Sequence, residues 1–121
     1  MELQKIAQEF SVCKVADYSQ VHLNSAYCFI GKTDTENSLV CPSDCVPENI
    51  LACENGWRAF RICGSLDFSL VGILAEISAV LAENRIGIFA VSTYNTDYIF
   101  VKKENFERAL QVLSVKGYTV L

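Results

Sequence analysis

Residues 70–81, LVGILAEISAVL, determine the fold of the second half of this chain. Apolar side chains recur there at intervals of three and four residues, which places them on one stripe of a helix of about four turns. Strand-like segments flank this helix at 57–63 (WRAFRIC) and 86–92 (IGIFAVS). The first alternates between two faces, whereas the second is apolar on both faces and is expected to be covered on both sides.

The elements after this helix complete a familiar order. Turn residues at 93–97 (TYNTD) lead into a strand at 98–101 (YIFV), which predicts an antiparallel hairpin. A second helix follows with the apolar stripe Phe106, Ala109, Leu110 and Leu113. Gly117 is a suitable stop, and residues 118–121 form a last strand. Strand, helix, strand, strand, helix, strand is the order of the ferredoxin-like α+β fold, with two helices on one face of an antiparallel sheet.

The first half is rich in strands but lacks a matching helix. Strands are predicted at 10–15, 27–32 and 38–41, with one helical turn within 42–49. Residues 16–25, where a first helix would belong, have no helical stripe. We interpret residues 1–55 as a truncated, mostly β copy of the unit at 56–121, packed with it as one compact tandem that covers the open sheet face. No residue-level repeat links the halves, so this prediction rests on element order.

Composition excludes several classes of protein. Of the 121 residues, 51% are hydrophobic and 20% are charged, which favours a folded globule over disorder. The net charge of −4 argues against nucleic-acid and anionic-membrane partners, since both require a surplus of lysine and arginine. The first residues carry acids and lack the apolar core of a signal peptide, and no segment approaches a membrane span. A cytoplasmic location is therefore expected.

The thiols do not form a recognisable catalytic or metal-binding set. Without an export signal, the cysteines are expected to be reduced and to act as small apolar residues: Cys13, Cys28, Cys41, Cys45, Cys53 and Cys63. Three residues separate Cys41 from Cys45, whereas thioredoxin-like motifs have two. The only histidine, His22, has no second pair of metal ligands. No cofactor, no metal and no enzymatic activity are predicted.

Two motifs resemble the ACT domain family. Residues 67–75 (DFSLVGILA) match its acidic residue, loop and glycine at the first helix, and residues 81–88 (LAENRIGI) match its helix exit. Arg85 stands where that family usually has glycine, so the exit is expected to be strained or differently built. Val71 replaces a common proline before Gly72. Together with 91–99 (VSTYNTDYI), the first motif also resembles a group of small paired-ACT proteins, distantly similar to cytosolic arginine sensors of animal cells.

The resemblance implies a tandem architecture, a homodimer, and allosteric control of an unidentified enzyme partner by a small ligand. It places the ligand near the loop before the first helix and the end of the second strand. The candidate site residues are Asp67, Phe68, Ser69, Leu70, Val71, Gly72, Ser92, Thr93, Tyr94, Asn95 and Asp97.

The chemistry of these residues suits an amino acid. Unpaired amides of Leu70, Val71 and Gly72 at a helix start would bind a carboxylate. Asp67 and Asp97 would form ion pairs with an ammonium or guanidinium group. The side chains of Ser92, Thr93 and Asn95 offer hydrogen bonds. Each residue type also has a structural explanation: a helix cap for Asp67, close packing for Gly72, and ordinary turn chemistry for Asn95 and Asp97.

Two candidate functions, which belong to different classes of protein, fit these observations. The first is a regulatory protein that senses an amino acid, with the ligand bound at an interface. The alternative is a module for ligand-independent dimerisation or protein docking, motivated by strands that are apolar on both faces. An aromatic nucleic-acid platform is disfavoured, and core or interface packing is expected for Trp57, Phe60, Tyr98 and Phe100.

Overall fold

The computed structural model describes residues 1–63 and 72–121. Its strands and helices are β1 (Glu2–Val15), β2 (Phe29–Lys32), β3 (Asn37–Pro42), β4 (Ile50–Ile62), α1 (Ile73–Glu83), β5 (Ile88–Ser92), β6 (Asp97–Lys102), α2 (Phe106–Val115) and β7 (Thr119–Val120). Single 3-10 turns occur at Ser43–Cys45 and Lys103–Asn105. The chain divides into two compact units, the larger formed by Met1–Ala7 with Arg58–Leu121 and the smaller by Gln8–Trp57.

The larger unit has the predicted order of elements from β4 to β7, with α1 and α2 in the predicted places, which confirms the βαββαβ arrangement. β5 and β6 form the predicted antiparallel hairpin, in which Ser92 lies opposite Asp97. The strand order is β7, β1, β4, β6, β5. β1 therefore lies between β4 and β7, which are the first and last strands of the βαββαβ arrangement. β1 runs parallel to β7, with Leu3 opposite Val120.

The insertion of β1 is fixed by backbone hydrogen bonds on both of its edges. The Cys63 amide donates to the Glu2 carbonyl at 2.9 Å, and the Leu121 amide donates to the Leu3 carbonyl at 2.7 Å. Residues 1–7 therefore belong to the sheet of the larger unit, whereas the sequence pattern predicts that this unit begins at residue 56.

The two helices bury the apolar stripes that the sequence predicted. Ile77, Val80 and Leu81 of α1 are buried, and Ile73 and Leu74 pack partly buried against the same core. Leu70, the first residue of that predicted stripe, lies outside the described residues. All four predicted residues of α2 are buried: Phe106, Ala109, Leu110 and Leu113. Neither described helix is long and apolar enough to cross a bilayer.

Both helices end in the same backbone motif. After α1, the Ile86 amide donates to the Leu81 carbonyl at 2.9 Å and the Arg85 amide donates to the Ala82 carbonyl at 3.0 Å. This pair of bonds defines a Schellman motif, whose C′ residue must be left-handed. That residue is Arg85 with φ 58°, whereas after α2 it is Gly117 with φ 103°. The expected strain at Arg85 is confirmed.

The start of α1 differs from the prediction. Gly72 is the N-cap with φ 92°, a left-handed conformation that favours glycine, and the helix begins at Ile73. The Gly72 carbonyl accepts the first helical bond, from the Glu76 amide at 2.8 Å. Asp67, the predicted helix cap, lies outside the described residues.

The prediction that β5 is covered on both sides is wrong for the chain by itself. β5 stands last in the strand order, Ala90 is exposed, and Ile88, Phe89 and Val91 are only half-buried. Phe89 instead stacks on its cross-strand partner Phe100, with ring centroids 4.6 Å apart. Ile88, on the opposite face from Phe89, packs partly buried against the core formed with both helices, so this edge strand is covered on one face only in part and shielded on the other across the ladder.

The smaller unit contains strands and one 3-10 turn. Its strand order is β2, β3, β1, β4, and β3 is antiparallel to both β2 and β1. Its core is formed by Cys13, Val15, Leu39 and Cys41. The Tyr18 hydroxyl donates to the Ser38 carbonyl at 3.0 Å, which ties the segment after β1 to β3. β2, β3 and the helical turn occur where they were expected, whereas β1 begins at Glu2 rather than at residue 10 and β4 begins at Ile50 rather than at residue 57. The origin of this unit as a truncated ACT copy stays a prediction.

Candidate functional site

The larger unit has an open cleft beside the hairpin turn between β5 and β6. Its volume is about 450 Å³, and its described lining is Gln4, Arg61, Ile62, Cys63, Thr93, Asn95, Thr96 and Tyr98. These residues come from three places: the inserted β1, the end of β4, and the hairpin. The cleft therefore depends on the insertion of β1 as well as on the predicted turn.

A buried threonine positions the turn against β4. Thr96 is only 8% exposed, and its hydroxyl donates to the Ile62 carbonyl at 2.7 Å. Within the turn, the Thr93 amide and hydroxyl both donate to the Thr96 carbonyl, at 2.8 and 2.9 Å. Backbone carbonyls at a strand end need donors, and these hydroxyls supply them. Hydrogen bonds therefore hold the turn against β4 at the mouth of the cleft.

Arg61 gives the cleft its charge. Its neighbours in β4, Phe60 and Ile62, are fully buried, and strand alternation places Arg61 on the opposite face. Arg61 is half-buried, and its Nη1 donates to the Tyr98 hydroxyl at 3.3 Å. The described lining contains this one cation and no acid. A planar guanidinium recognises carboxylates through paired hydrogen bonds, so the described part of the cleft favours an anionic group.

The structure brings some of the predicted site residues into this cleft. Thr93 and Asn95 line it. Ser92, Tyr94 and Asp97 are not among its described lining residues, and Tyr94 at the turn tip is 87% exposed. Among residues 1–63 and 72–121, no atom lies within 4 Å of the place where a Cβ at residue 72 would stand, so these residues show no close packing that requires glycine there. The remaining candidates lie outside the described residues: Asp67, Phe68, Ser69, Leu70 and Val71.

Sequence reasoning missed Arg61 and Gln4. A polar residue between Phe60 and Ile62 was a usable signal, because alternation in a strand sets Arg61 apart from the core. Gln4 offered no local signal, since it reaches the cleft only through the pairing of β1 with distant strands.

A second, smaller cleft lies beside the end of α2. Its volume is about 220 Å³, and it is lined by Met1, Ile73, Glu76, Lys116, Gly117 and Tyr118. The Tyr118 hydroxyl donates to Glu76 Oε1 at 2.7 Å. Burial, reinforced by this carboxylate, raises the pKa of Tyr118 to about 12. Glu76 and Lys116 bring charges of both signs to this cleft. It therefore does not favour an anionic group in the way that the cleft beside the β5–β6 turn does.

Within residues 1–63 and 72–121, no three histidine, cysteine or acidic side chains are arranged to hold a metal ion. His22 is exposed, and the cysteines are unbridged thiols.

The larger unit combines an antiparallel hairpin, two helices on a sheet, and a cleft at the turn, which together define a ferredoxin-like α+β fold. A family model for the ACT domain matches residues 52–115, and the chain belongs to the ACT domain family. No significant match exists among curated proteins.

Solved structures share this fold. The protein Atu0741 from Agobacterium tumefaciens is 27% identical with a TM-score of 0.84, covering 99% of this chain and 91% of that one. The Vibrio cholerae protein VC0802, described as a possible transport protein of unknown function, is 24% identical with a TM-score of 0.70 over 93% of this chain and 87% of that one. The ligand-free regulatory subunit of aspartate kinase from Thermus thermophilus is 10% identical with a TM-score of 0.64, over 93% and 94%.

Proposed function

We propose that this chain is a regulatory protein that binds an α-amino acid in the cleft beside the β5–β6 turn. Membership of the ACT family supports a regulatory, ligand-binding role in general. The observation behind the specific proposal is the guanidinium of Arg61, which shares the cleft with the neutral hydrogen-bonding side chains of Thr93 and Asn95.

The ligand's two charged groups have separate partners. Arg61 binds the carboxylate through paired hydrogen bonds, which adds a charged partner to the backbone amides of Leu70, Val71 and Gly72 assigned from sequence. Asp67 and Asp97 remain the proposed partners of the ammonium group. Thr93 and Asn95 orient the ligand, because hydroxyl and amide groups both donate and accept. Phe68, Ser69, Ser92 and Tyr94 complete the proposed contact set.

Regulation follows if the ligand binds two assembly states with different affinity. A ligand shifts an equilibrium only by its difference in affinity between the states. We propose a homodimer in the cytoplasm that controls an enzyme partner allosterically and has no catalytic activity of its own.

Thermal-shift measurements with each of the twenty amino acids test the proposal. A binder at millimolar concentration raises the midpoint of unfolding, since ligand that binds only the folded state stabilises it by mass action. Arg61→Met should weaken that binding by about tenfold or more, because a charge-assisted pair is lost.

Lys116→Met is the matched control, since it removes the same charge from the second cleft. It should leave the shift unchanged. A folded protein that no amino acid stabilises contradicts the proposal, as does a shift that Lys116→Met removes and Arg61→Met keeps.

The exposed edge of β5 favours a second candidate, a ligand-independent dimerisation module. In the described part of the chain, β5 has a strand neighbour only in β6, and it carries exposed Ala90. Light scattering on the full chain measures its mass, and Ala90→Pro should abolish pairing through this edge. A dimer that no amino acid stabilises or dissociates supports this candidate, whereas a monomer that binds an amino acid contradicts it.

A further inference from the structure

The smaller unit contains five of the six cysteines, and two of them face each other on neighbouring strands. The Sγ of Cys13 on β1 lies 3.5 Å from the Sγ of Cys53 on β4, and the Cys13 thiol donates a weak hydrogen bond to it. β1 and β4 are hydrogen-bonded neighbours. A disulfide has an S–S distance of about 2.05 Å, so the sulfurs must approach by roughly 1.5 Å, within the reach of side-chain rotation.

A polar pair on the same two strands orients the thiols. Two residues away on each strand, the Ser11 hydroxyl donates to Asn55 Oδ1 at 2.6 Å, and Ser11 itself is fully buried. The Cys53 thiol donates to the same Oδ1 at 3.3 Å. This hydrogen bond holds the Cys53 side chain beside Cys13, so the two sulfurs stay within reach of each other.

Only one of the two sulfurs is open to solvent. Cys53 is exposed, whereas Cys13 is 3% exposed. Both line a cleft of about 310 Å³ whose lining also carries Lys14, Glu36 and Glu54. A small neutral oxidant can reach Cys53 there, while the two carboxylates disfavour anionic ones. The pair thus has an accessible sulfur and a protected one in contact with it.

We propose that Cys13 and Cys53 form a modification site at which a hydroperoxide closes a reversible disulfide. The Cys53 thiolate attacks the peroxide, forming an S–O bond as the O–O bond breaks, and an alcohol or water leaves. The Cys13 sulfur then attacks the Cys53 sulfenic acid, forming the S–S bond as the S–O bond breaks. The departing hydroxide takes up a proton, so two thiols and one hydroperoxide yield a disulfide, an alcohol or water, and a further water.

Exposure makes the bridge easy to reduce. Cys53 is exposed, so a dithiol reductant can attack the bridge from that side. Exposed disulfides are among the labile ones, and a dithiol reductant should reopen this one. The bridge is therefore suited to reversible modification rather than to permanent stabilisation.

The rate of closure should depend on pH through Cys13. Burial, reinforced by the hydrogen bond with Cys53, raises the pKa of Cys13 to about 12. Its thiolate fraction then increases about tenfold per pH unit between neutral pH and that value. When Cys53 has first been converted to a mixed disulfide, burial still raises the pKa of Cys13, and closure by Cys13 should accelerate from pH 7 to pH 9.

The test uses the full chain and hydrogen peroxide. The protein is oxidised, remaining thiols are blocked with N-ethylmaleimide, and unreduced peptides are mapped by mass spectrometry. A peptide pair joining Cys13 to Cys53, with two hydrogens lost, is expected, and dithiothreitol should restore both thiols. A first linkage between Cys41 and Cys45, or Cys53 oxidised to sulfinic acid with no bridge, would overturn the proposal.

Variants separate the two roles. Cys13→Ser should leave Cys53 as a sulfenic acid that dimedone traps, and Cys13→Ala repeats this test without burying a hydroxyl. Cys53→Ser should protect Cys13 from oxidation. Cys63→Ser removes a thiol of the larger unit and should form the bridge at the normal rate; loss of the bridge in this control contradicts a local pair.

Discussion

The Tyr118 hydroxyl lies 2.7 Å from Glu76 Oε1, and this contact joins the end of α2 to the first turn of α1. Tyr118 is 8% exposed, so its hydroxyl gains a partner that it would otherwise lose on burial. Tyr118→Phe should lower the free energy of unfolding by about 1–2 kcal/mol, measured by urea denaturation at neutral pH. Tyr94→Phe, at an exposed tyrosine, is the control and should change little.

The same bond predicts an alkaline loss of stability. The pKa of Tyr118 is raised to about 12, above its ordinary value of 10. Its contribution is therefore full below pH 10 and is lost as the pH rises towards 12, because the unfolded chain ionises first. The stability difference between the wild type and Tyr118→Phe should shrink across this window; a constant difference would contradict the assignment.

The two helix ends provide a matched pair of substitutions. Arg85 occupies a left-handed conformation that costs a side-chain-bearing residue about 1–2 kcal/mol, part of which is offset in the unfolded state. Arg85→Gly should therefore raise the free energy of unfolding by about 0.5–1 kcal/mol. Gly117→Ala should lower it by about 1 kcal/mol or more. Thermal unfolding of both variants measures the effect, and equal signs would refute the shared motif.

Thr96 should couple stability to binding. Thr96→Val removes the hydroxyl that satisfies the Ile62 carbonyl and should cost about 1–3 kcal/mol. Because the turn would lose its anchor, affinity for any ligand of the adjacent cleft should fall as well. Thr96→Ser keeps the hydroxyl and should retain both properties. Isothermal titration calorimetry together with urea unfolding distinguishes the two variants.

Arg58 stabilises the larger unit through the shape of its guanidinium group as well as through its charge. Its guanidinium carbon lies 4.2 Å from the centre of the Phe106 ring, and its Nη2 donates to the Ile6 carbonyl at 3.0 Å. Lysine keeps the charge but loses the planar stacking and the fork of donors. Arg58→Lys should therefore destabilise the fold by about 1 kcal/mol, measured by urea denaturation. Arg108→Lys, at an exposed arginine, should cost less.

Local patterns were sufficient for the helices and the hairpin. The stripe of α2 is buried as predicted because a 3.6-residue period fixes which side chains share a face. The exit at Arg85 was also predictable, since a residue in a glycine position must adopt a positive φ. These properties depend on neighbours along the chain.

The candidate site was only partly predictable, because half of it depends on distant pairing. Thr93 and Asn95 belong to a turn that local composition indicates. Gln4 reaches the same cleft through the insertion of β1 between β4 and β7, for which no local pattern exists. The prediction that β5 is covered on both sides was wrong for the same reason, because strand order decides which strand lies at an edge of the sheet.

The pairing of Leu3 with Val120 has a consequence for how the chain folds. These residues stand at nearly opposite ends of the sequence, and contacts of such high sequence separation form late, after most loop-closure entropy has been lost. During synthesis, residues 2–3 cannot pair with β7 until residues 119–120 have emerged. Closure of this edge of the larger sheet is then a late step of folding, and the edge of β1 at Leu3 stays unpaired with β7 until it occurs.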